Sequence, residues 1–560
     1  MDNNMKRITF IGILLIVWIQ IAALSVRVEI NPQAWDRNVR GNGAAVILEP
    51  GMPMLPYLPV AVLIPFGEKY QSGEVRLGNS VLQADRAEIS VALPQEKISG
   101  AETAESFKAP LLENRLYPEK DYEFLGTQYY RGFQIALFNI YPYKYNPISK
   151  KVYASQAAVI EFQSMFDRTE AQYQANFVCR DGETQNTLSN WVKNPEQVSS
   201  YNTASAYRSV SEHSRLIDLS SPKKMIIITD AQRVPWFADF AAWKSSKGIS
   251  NAIYTMEDIL AAYPGEDNAA KLRNFIIDAY QTWASSSEPL QYVILGGDDE
   301  IVPQRGAYGQ VGDTVDNRMP VDMYYSNLDG TWNANQNDIY GEQADNVDMV
   351  PEVHIGRFPA ETIIEFQNIF HKTMYYADTN SFSNNMALFM GENLNMNPVT
   401  WGGDYKDDVA QYLPDEYHLK TLYQRDGTYN AMAVLNAINS GAGIMNHMGH
   451  ANETSLIGQS NFSVDNMSNT EYGFLYSQGC YPAAFDQRTS AAGEAIGEHL
   501  VTANGALFAF IGNTRYGWYM PGSIDGASQF YDRQFFRGLF QQNMPELGRA
   551  LTYSRQIGRA

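Results

Sequence analysis

Hydrophobic and polar positions follow two different patterns along this chain, and the change between them falls near residue 200. From about residue 28 onward apolar positions tend to alternate with polar ones. In IYPYKYNPISKKVYASQAAVIEFQ the alternation runs on both sides of Asn146-Pro147, as it does in a half-buried hairpin closed by a turn. The proline-dense stretch Glu49 to Pro65, EPGMPMLPYLPVAVLIP, reads as an extended edge segment, because proline fixes φ and removes a ladder donor. Helical periodicity is scarce here, which predicts an all-β N-terminal domain over 26–200.

Between Asn194 and Ser221 the chain turns polar and serine-rich without any apolar period, and 201–221 is predicted as a linker. Arg208 and Arg215 are expected to lie exposed in it, where a protease cuts without unfolding anything.

Beyond the linker, KKMIIITD reads as a short buried strand. Amphipathic helices follow around Trp236 to Lys247 and Ala270 to Trp283, and then the strand YVILGG. Further apolar runs at 352–355, 386–390, 443–448, 474–477 and 506–511 alternate with helical stretches. The predicted fold class over 222–560 is α/β, a largely parallel sheet flanked by helices. No internal repeat interrupts it.

Composition and charge narrow the function. A chain of 560 residues exceeds what one core usually serves, and 45% hydrophobic with 19% charged residues matches soluble globular proteins. The formal net charge of −20 repels phosphate backbones, so nucleic acid is not an expected partner; cationic peptides and metal ions suit the surface better. Lys6 and Arg7 precede an apolar run from Ile8 to Leu24 and small residues at Ala22, Ala23 and Ser25, the order of a signal peptide over 1–25. The run is short for a bilayer, no later segment reaches that length, and no stable membrane span is expected once the signal is removed.

Two residues stand where open α/β sheets usually place their chemistry, just past the carboxyl ends of strands. His450 follows GIMNHM through a glycine, and Cys480 follows FLYSQ through another. The 30 residues between them leave room for a parallel crossover, so thiol and imidazole can meet above neighbouring strands. A thiol needs such a base, because the thiolate is the nucleophile. The alternative is a buried inert thiol, the commonest fate of free cysteine. His447 is the weaker base, since its parity in the strand points it into a packed face. No HExxH pattern occurs. Cys179 matches no catalytic pattern and reads as structural.

In NLDGTWNANQNDIYGE, Asp329, Asn333, Asn335, Asn337, Asp338 and Glu342 place oxygen ligands at alternating positions, a calcium candidate without EF-hand spacing. GGDDE, Gly296 to Glu300, is a second acidic cluster at a strand end, readable as a calcium site or a capping turn.

The segments YVILGGDDEIVP, VPEVHIGRFPAE, MNHMGHANETS and FLYSQGCYPAAFD, followed by ALFAFIGNTRYGW, resemble the gingipain-type cysteine peptidases of family C25 in order and spacing over roughly residues 224 to 545. PGMPMLPYLPVAVLIPFG and YPYKYNPISKKVYA resemble that family's inhibitory pro-domain. The resemblance implies a caspase-like fold of clan CD, made as a latent secreted zymogen whose own pro-domain is its first partner. Cys480 and His450 would form the dyad, with the amides of Ala451 and Cys480 facing the oxyanion and Glu392 orienting the imidazole. Trp518 would stand at the rim of the substrate pocket and Asp404 at its base, selecting Arg or Lys before the cut. No cofactor is required for the chemistry; calcium would be structural.

Family members usually carry further domains, whereas this chain stops at LTYSRQIGRA inside an apparent helix, which reads as a truncated frame. Two rival readings remain: a non-catalytic, calcium-dependent binding module on the same fold, and a caspase-like hydrolase or transpeptidase of other specificity.

Overall fold

The computed structural model describes residues 21–30, 45–98, 107, 113–208, 216–379, 385–486 and 493–557. Most of the predicted signal segment, and Arg215, lie outside them. Ile21 to Ser25 do not: they open the strand Ile21–Glu29, which pairs antiparallel with Ala157–Phe166.

The N-terminal domain is an assembly of antiparallel strands. Leu58 to Leu63 of the strand Pro56–Leu63 pair with Phe133–Ile140, while Pro56 and Tyr57 meet Ala45–Val46 and Ala61 makes a single bridge to Val192, a broken second edge that suits its prolines. Tyr143–Asn146 and Lys151–Ser155 form the predicted hairpin, and the Asn146 carboxamide oxygen accepts the amides of Ile148 and Ser149 to set the turn. Helices Arg168–Phe177 and Gly182–Trp191 follow the last strand, capped by Asp167 and Asp181.

The packed chain continues further than the sequence pattern predicts. Residues 195–207 wind as 3₁₀ turns, and Tyr201 is fully buried, its hydroxyl donating to Ile64 O at 2.9 Å. Residues 201–208, predicted as the start of the linker, therefore belong to the N-terminal domain. Arg208, expected to be exposed, is half-buried and donates to the carbonyls of Gln281 and Thr282.

The second half contains two parallel sheets where the pattern suggested one. For reference, the short strand Glu96–Lys97 of the N-terminal domain is β1. The first sheet orders Asn251–Thr255 (β3), Met225–Thr229 (β2), Tyr292–Gly296 (β4) and His354–Phe358 (β5), all parallel. The second orders His418–Tyr423 (β7), Met386–Gly391 (β6), Ile444–Met448 (β8), Phe474–Ser477 (β9) and Ala509–Ile511 (β10), again all parallel. Strands β2, β8 and β9 are buried at every position because helices cover both faces, so their apolar residues do not alternate with exposed polar ones, and the polar side chains they carry, Thr229, Asn446, His447 and Ser477, are buried as well. Among the described residues no helix is long and apolar enough to cross a membrane.

The N-terminal domain is fastened to the first sheet by buried polar contacts. Arg131 Nε donates to Glu352 O at 3.0 Å and its Nη1 pairs with Asp181 at 3.2 Å, while His354 Nε2 meets Glu183 at 3.0 Å. A second attachment reaches the other sheet. β1 pairs antiparallel with Trp518–Tyr519 (β11), carrying the N-terminal domain over the carboxyl ends of β8 and β9.

Candidate active site

His450 and Cys480 extend from adjacent parallel strands, β8 and β9, which places the two residues at one edge of the second sheet. Two glycines let their loops lie against each other and against the sheet. A Cβ on Gly479 would come 2.5 Å from the Cβ of Ala451, and one on Gly449 would come 2.5 Å from His447 Nε2 and 2.6 Å from Glu392 Oε1. In the fold these glycines admit a neighbouring loop and a buried ion pair. Tyr481, directly after the thiol, has φ of 67°, an uncommon left-handed conformation for a bulky residue and of a kind that gathers at functional sites.

Cys480 is 1% exposed. Its Sγ accepts the Gly517 amide at 3.3 Å. Burial pushes the thiol up to about 11, only partly offset by the amides of Gly517 and Ile98 and the charge of Lys97. The His450 ring is held between two carbonyls, Asn393 O at 2.8 Å from Nε2 and Ile98 O at 3.3 Å from Nδ1. Among the described residues no hydrogen bond joins Cys480 to His450.

What both face is the N-terminal domain. Ile98 donates its amide to Gly517 O at 2.9 Å, continuing the pairing of β1 with β11, in which Lys97 stands opposite Trp518 and Glu96 opposite Tyr519. The Tyr519 hydroxyl donates to Glu96 at 3.2 Å, and Lys97 Nζ lies 4.4 Å above the Tyr516 ring. Ile98 itself is fully buried in the apolar cluster that contains Cys480. The structure thus places Cys480, His450, Ala451 and Trp518 at one edge of the second sheet and covers that edge with residues 96–98.

Glu392 is placed differently from expectation. Its Oε1 accepts from His447 Nε2 at 2.9 Å and from the Tyr429 hydroxyl at 2.7 Å, and its partner is not His450. Burial alone would raise this carboxyl, but the hydrogen bond and charge of His447, then the Tyr429 hydroxyl, hold it below the usual range. His447 is fully buried, with Nδ1 2.9 Å from Ser477 Oγ, which also accepts the Gly479 amide at 3.1 Å. The Glu392–His447–Ser477 chain therefore underpins both loops. The sequence reading placed His447 in a packed face correctly and missed what it carries there.

A second buried network lies beside it. Asp532 accepts from Lys406 at 2.9 Å, Asn446 and Gln478 at 2.6 Å each, and the Tyr405 hydroxyl at 3.0 Å. Gln478 is two residues before the thiol. Burial lowers Lys406 to about 8 despite its carboxylate partner.

Asp404 does not stand at the base of a pocket. It lies in the first turn of the helix Gly402–Ala410, half exposed, with its carboxylate held by Arg425, which also takes Asp407 at 2.5 Å. Asp408, in the same helix, pairs with Arg533 at 2.7 Å.

The calcium loop is satisfied from within. Asn333 Oδ1 accepts the amides of Asn337 and Asp338, Asn335 Oδ1 accepts that of Asn337, Asn337 Oδ1 that of Ile339, and Glu342 Oε1 takes the carboxamides of Asn335 and Asn337. Asp329 is buried away from these oxygens, in the surroundings of Asp348 and Glu352, where desolvation and then those two carboxylates raise it well above its ordinary value. That donor set does not fit a cation. The GGDDE turn fits one better: carboxylate oxygens of Asp298, Glu361 and Glu494 all lie within 4.8 Å of one another. Cys179 is buried between the N-terminal domain and the first sheet, away from the cleft.

A parallel α/β domain with a buried thiol and an imidazole at neighbouring strand ends, closed by the chain's own N-terminal domain, defines the class. The chain belongs to Peptidase family C25, whose family model matches residues 218–557. It is 21% identical over 472 residues to Gingipain R2 of Porphyromonas gingivalis, covering 80% of this chain and 56% of that one. Over 275 residues it is 22% identical to Gingipain R1 of the same species, covering 47% of this chain and 24% of that one. The chain thus spans about half the length, or less, of the curated relatives it matches. Among solved structures it is similar to the Arg-specific cysteine proteinase gingipain R, with TM-score 0.46 and 18% identity over 60% of this chain and 73% of that one. It is also similar to a complex of RgpB pro- and mature domains, with TM-score 0.44 and 17% identity over 60% and 75%.

Proposed function

We propose that this protein is a secreted cysteine endopeptidase held latent by its own N-terminal domain, with Cys480 as nucleophile and His450 as general base and acid. The observation that carries the reading is the treatment of Ile98. A main-chain segment lies extended against β11, its last amide bound by Gly517 O, its last carbonyl facing His450, and its side chain packed in the cluster of Cys480. That is how a peptide would be presented to a thiol.

In the released enzyme, Cys480 loses its proton to His450 and the thiolate adds to the carbonyl carbon of the peptide bond. The amides of Ala451 and Cys480 receive the oxyanion. His450 returns the proton to the leaving amine as the C–N bond breaks, which leaves a thioester. Water, deprotonated by His450, then hydrolyses the thioester and restores the thiol. In the latent state the thiol near 11 is almost wholly protonated at neutral pH, which fits an enzyme switched off. Export rests on the basic and apolar order of residues 6–24. A structural calcium ion, where one binds, is better matched to Asp298, Glu361 and Glu494 than to the asparagine loop. Cleavage after Arg or Lys rested on Asp404, and its pairing with Arg425 removes that support.

The test is hydrolysis of casein by full-length protein cut between its two domains, with both fragments retained. Cys480→Ala and His450→Ala should each abolish hydrolysis while preserving the melting curve, and full turnover by either variant would falsify the assignment.

A further inference from the structure

The segment closing the cleft also records what the cleft accepts, provided the peptidase reading above holds. Ile98 ends the described stretch 45–98 and lies against His450 and Gly517. Its amide is bound by Gly517 O and its carbonyl oxygen lies 3.3 Å from the base, so it occupies the place of the residue on the acyl side of a scissile bond. Its side chain is 0% exposed and belongs to the cluster that includes Leu394, Tyr519 and Cys480. Lys97, one residue earlier, is only half-buried and lies over the Tyr516 ring.

A pocket built for a guanidinium or ammonium needs an unengaged carboxylate, because a buried cation without a partner is strongly disfavoured. Asp404, the residue expected to supply it, is spoken for, as are the two other acids of its helix: Asp404 and Asp407 by Arg425, Asp408 by Arg533. An apolar site that encloses isoleucine instead rewards burial of a branched side chain and rejects charge.

We propose that the subsite preceding the bond attacked by Cys480 is apolar and selects a branched aliphatic residue, isoleucine, leucine or valine, with Ile98 as the chain's own occupant. Basic residues are excluded from it, and Lys97 marks the neighbouring, more open position.

The experiment uses the cut full-length protein with both fragments retained. Casein is digested and the cuts mapped by mass spectrometry, and matched peptides that differ only at the residue before the cut (Ile, Leu, Val, Arg, Lys) are compared by kcat/KM. Aliphatic residues should precede most cuts, and the Ile peptide should exceed the Arg peptide by about a hundredfold or more. Cys480-dependent cleavage mainly after Arg or Lys would overturn this inference and leave the peptidase reading intact. No Cys480-dependent cleavage of casein at all would bring down both.

The uncut chain provides a second measurement. Ile98→Arg should expose Cys480, raising its iodoacetamide labelling at pH 8 about tenfold or more, whereas Ile98→Val should leave it protected. An Ile98→Arg chain that melts as the wild type does and protects Cys480 equally well would show that the site admits a cation, and the proposal would fall.

Discussion

His450 Nδ1 lies 3.3 Å from the carbonyl oxygen of Ile98, a residue 352 positions earlier in the chain. The contact ties the sheet edge that carries His450 and Cys480 to the N-terminal domain, and β1 pairing with β11 reinforces it. Uncut protein should therefore hydrolyse casein at least about tenfold more slowly than protein cut between the domains, since substrate must first displace an ordered segment. The cut is expected near Arg215 rather than Arg208, whose guanidinium is docked on the carbonyls of Gln281 and Thr282. N-terminal sequencing of the fragments locates it. Equal activity before and after the cut would make the N-terminal domain merely structural.

Burial places the Cys480 thiol near 11 in the latent chain, so its alkylation at saturating reagent should rise steeply between about pH 9 and 11. Once the chain is cut and the segment displaced, the inflection should move down. Mass spectrometry should find Cys480 labelled ahead of Cys179, which is 0% exposed and likewise raised by desolvation.

Glu392 is bonded to His447 and Tyr429, so its loss should be felt as stability first. Glu392→Gln is expected to cost about 1 to 3 kcal/mol and to leave kcat within about tenfold, with the pH dependence of kcat little changed. A collapse of kcat at unchanged stability would restore the role of imidazole orienter that the sequence motif assigns to it.

Asp404→Asn breaks a half-exposed pairing with Arg425. The expected effect is under about 1 kcal/mol on unfolding and none on the ranking of peptides. A selective loss on basic substrates would return Asp404 to the substrate pocket.

Lys372 is fully buried, donates to the carbonyls of Ala503 and Gly505 at 2.6 and 2.8 Å, and is lowered by burial to about 7. An unfolded lysine titrates near about 10.4. Between about pH 7 and 10 the unfolded chain therefore holds a proton that the fold has released, and stability should rise with pH by up to about 1.4 kcal/mol per unit from this group. The contribution is complete above the unfolded value and lost as pH falls through 7. Denaturant titrations of wild type and Lys372→Met should differ in slope across that window.

The legible part of this protein is local. Period-two alternation around Asn146-Pro147 predicts the hairpin that forms, and the short, largely apolar runs at 225–229, 444–448 and 474–477 predict strands buried on both faces. The Gly-His and Gly-Cys steps at two strand ends locate the edge where thiol and imidazole converge. Boundaries were less legible. Residues 201–208 carry no strand or α-helical period because they are anchored at Tyr201, Ala204 and Tyr207, with small, mostly polar residues between, and the spacing of a 3₁₀ turn matches neither pattern.

Thus the strands, their parallel character and the position of Cys480 and His450 just past two strand ends are legible in the sequence alone, since the period of apolar residues and the identity of a side chain are written locally. The tertiary structure alone decided that Glu392 meets His447, that Asp404 is taken by Arg425, and that Ile98 fills the cleft. These depend on contacts across 21 to 352 residues, where burial and competition among charged partners choose the neighbour, and no local pattern encodes that choice.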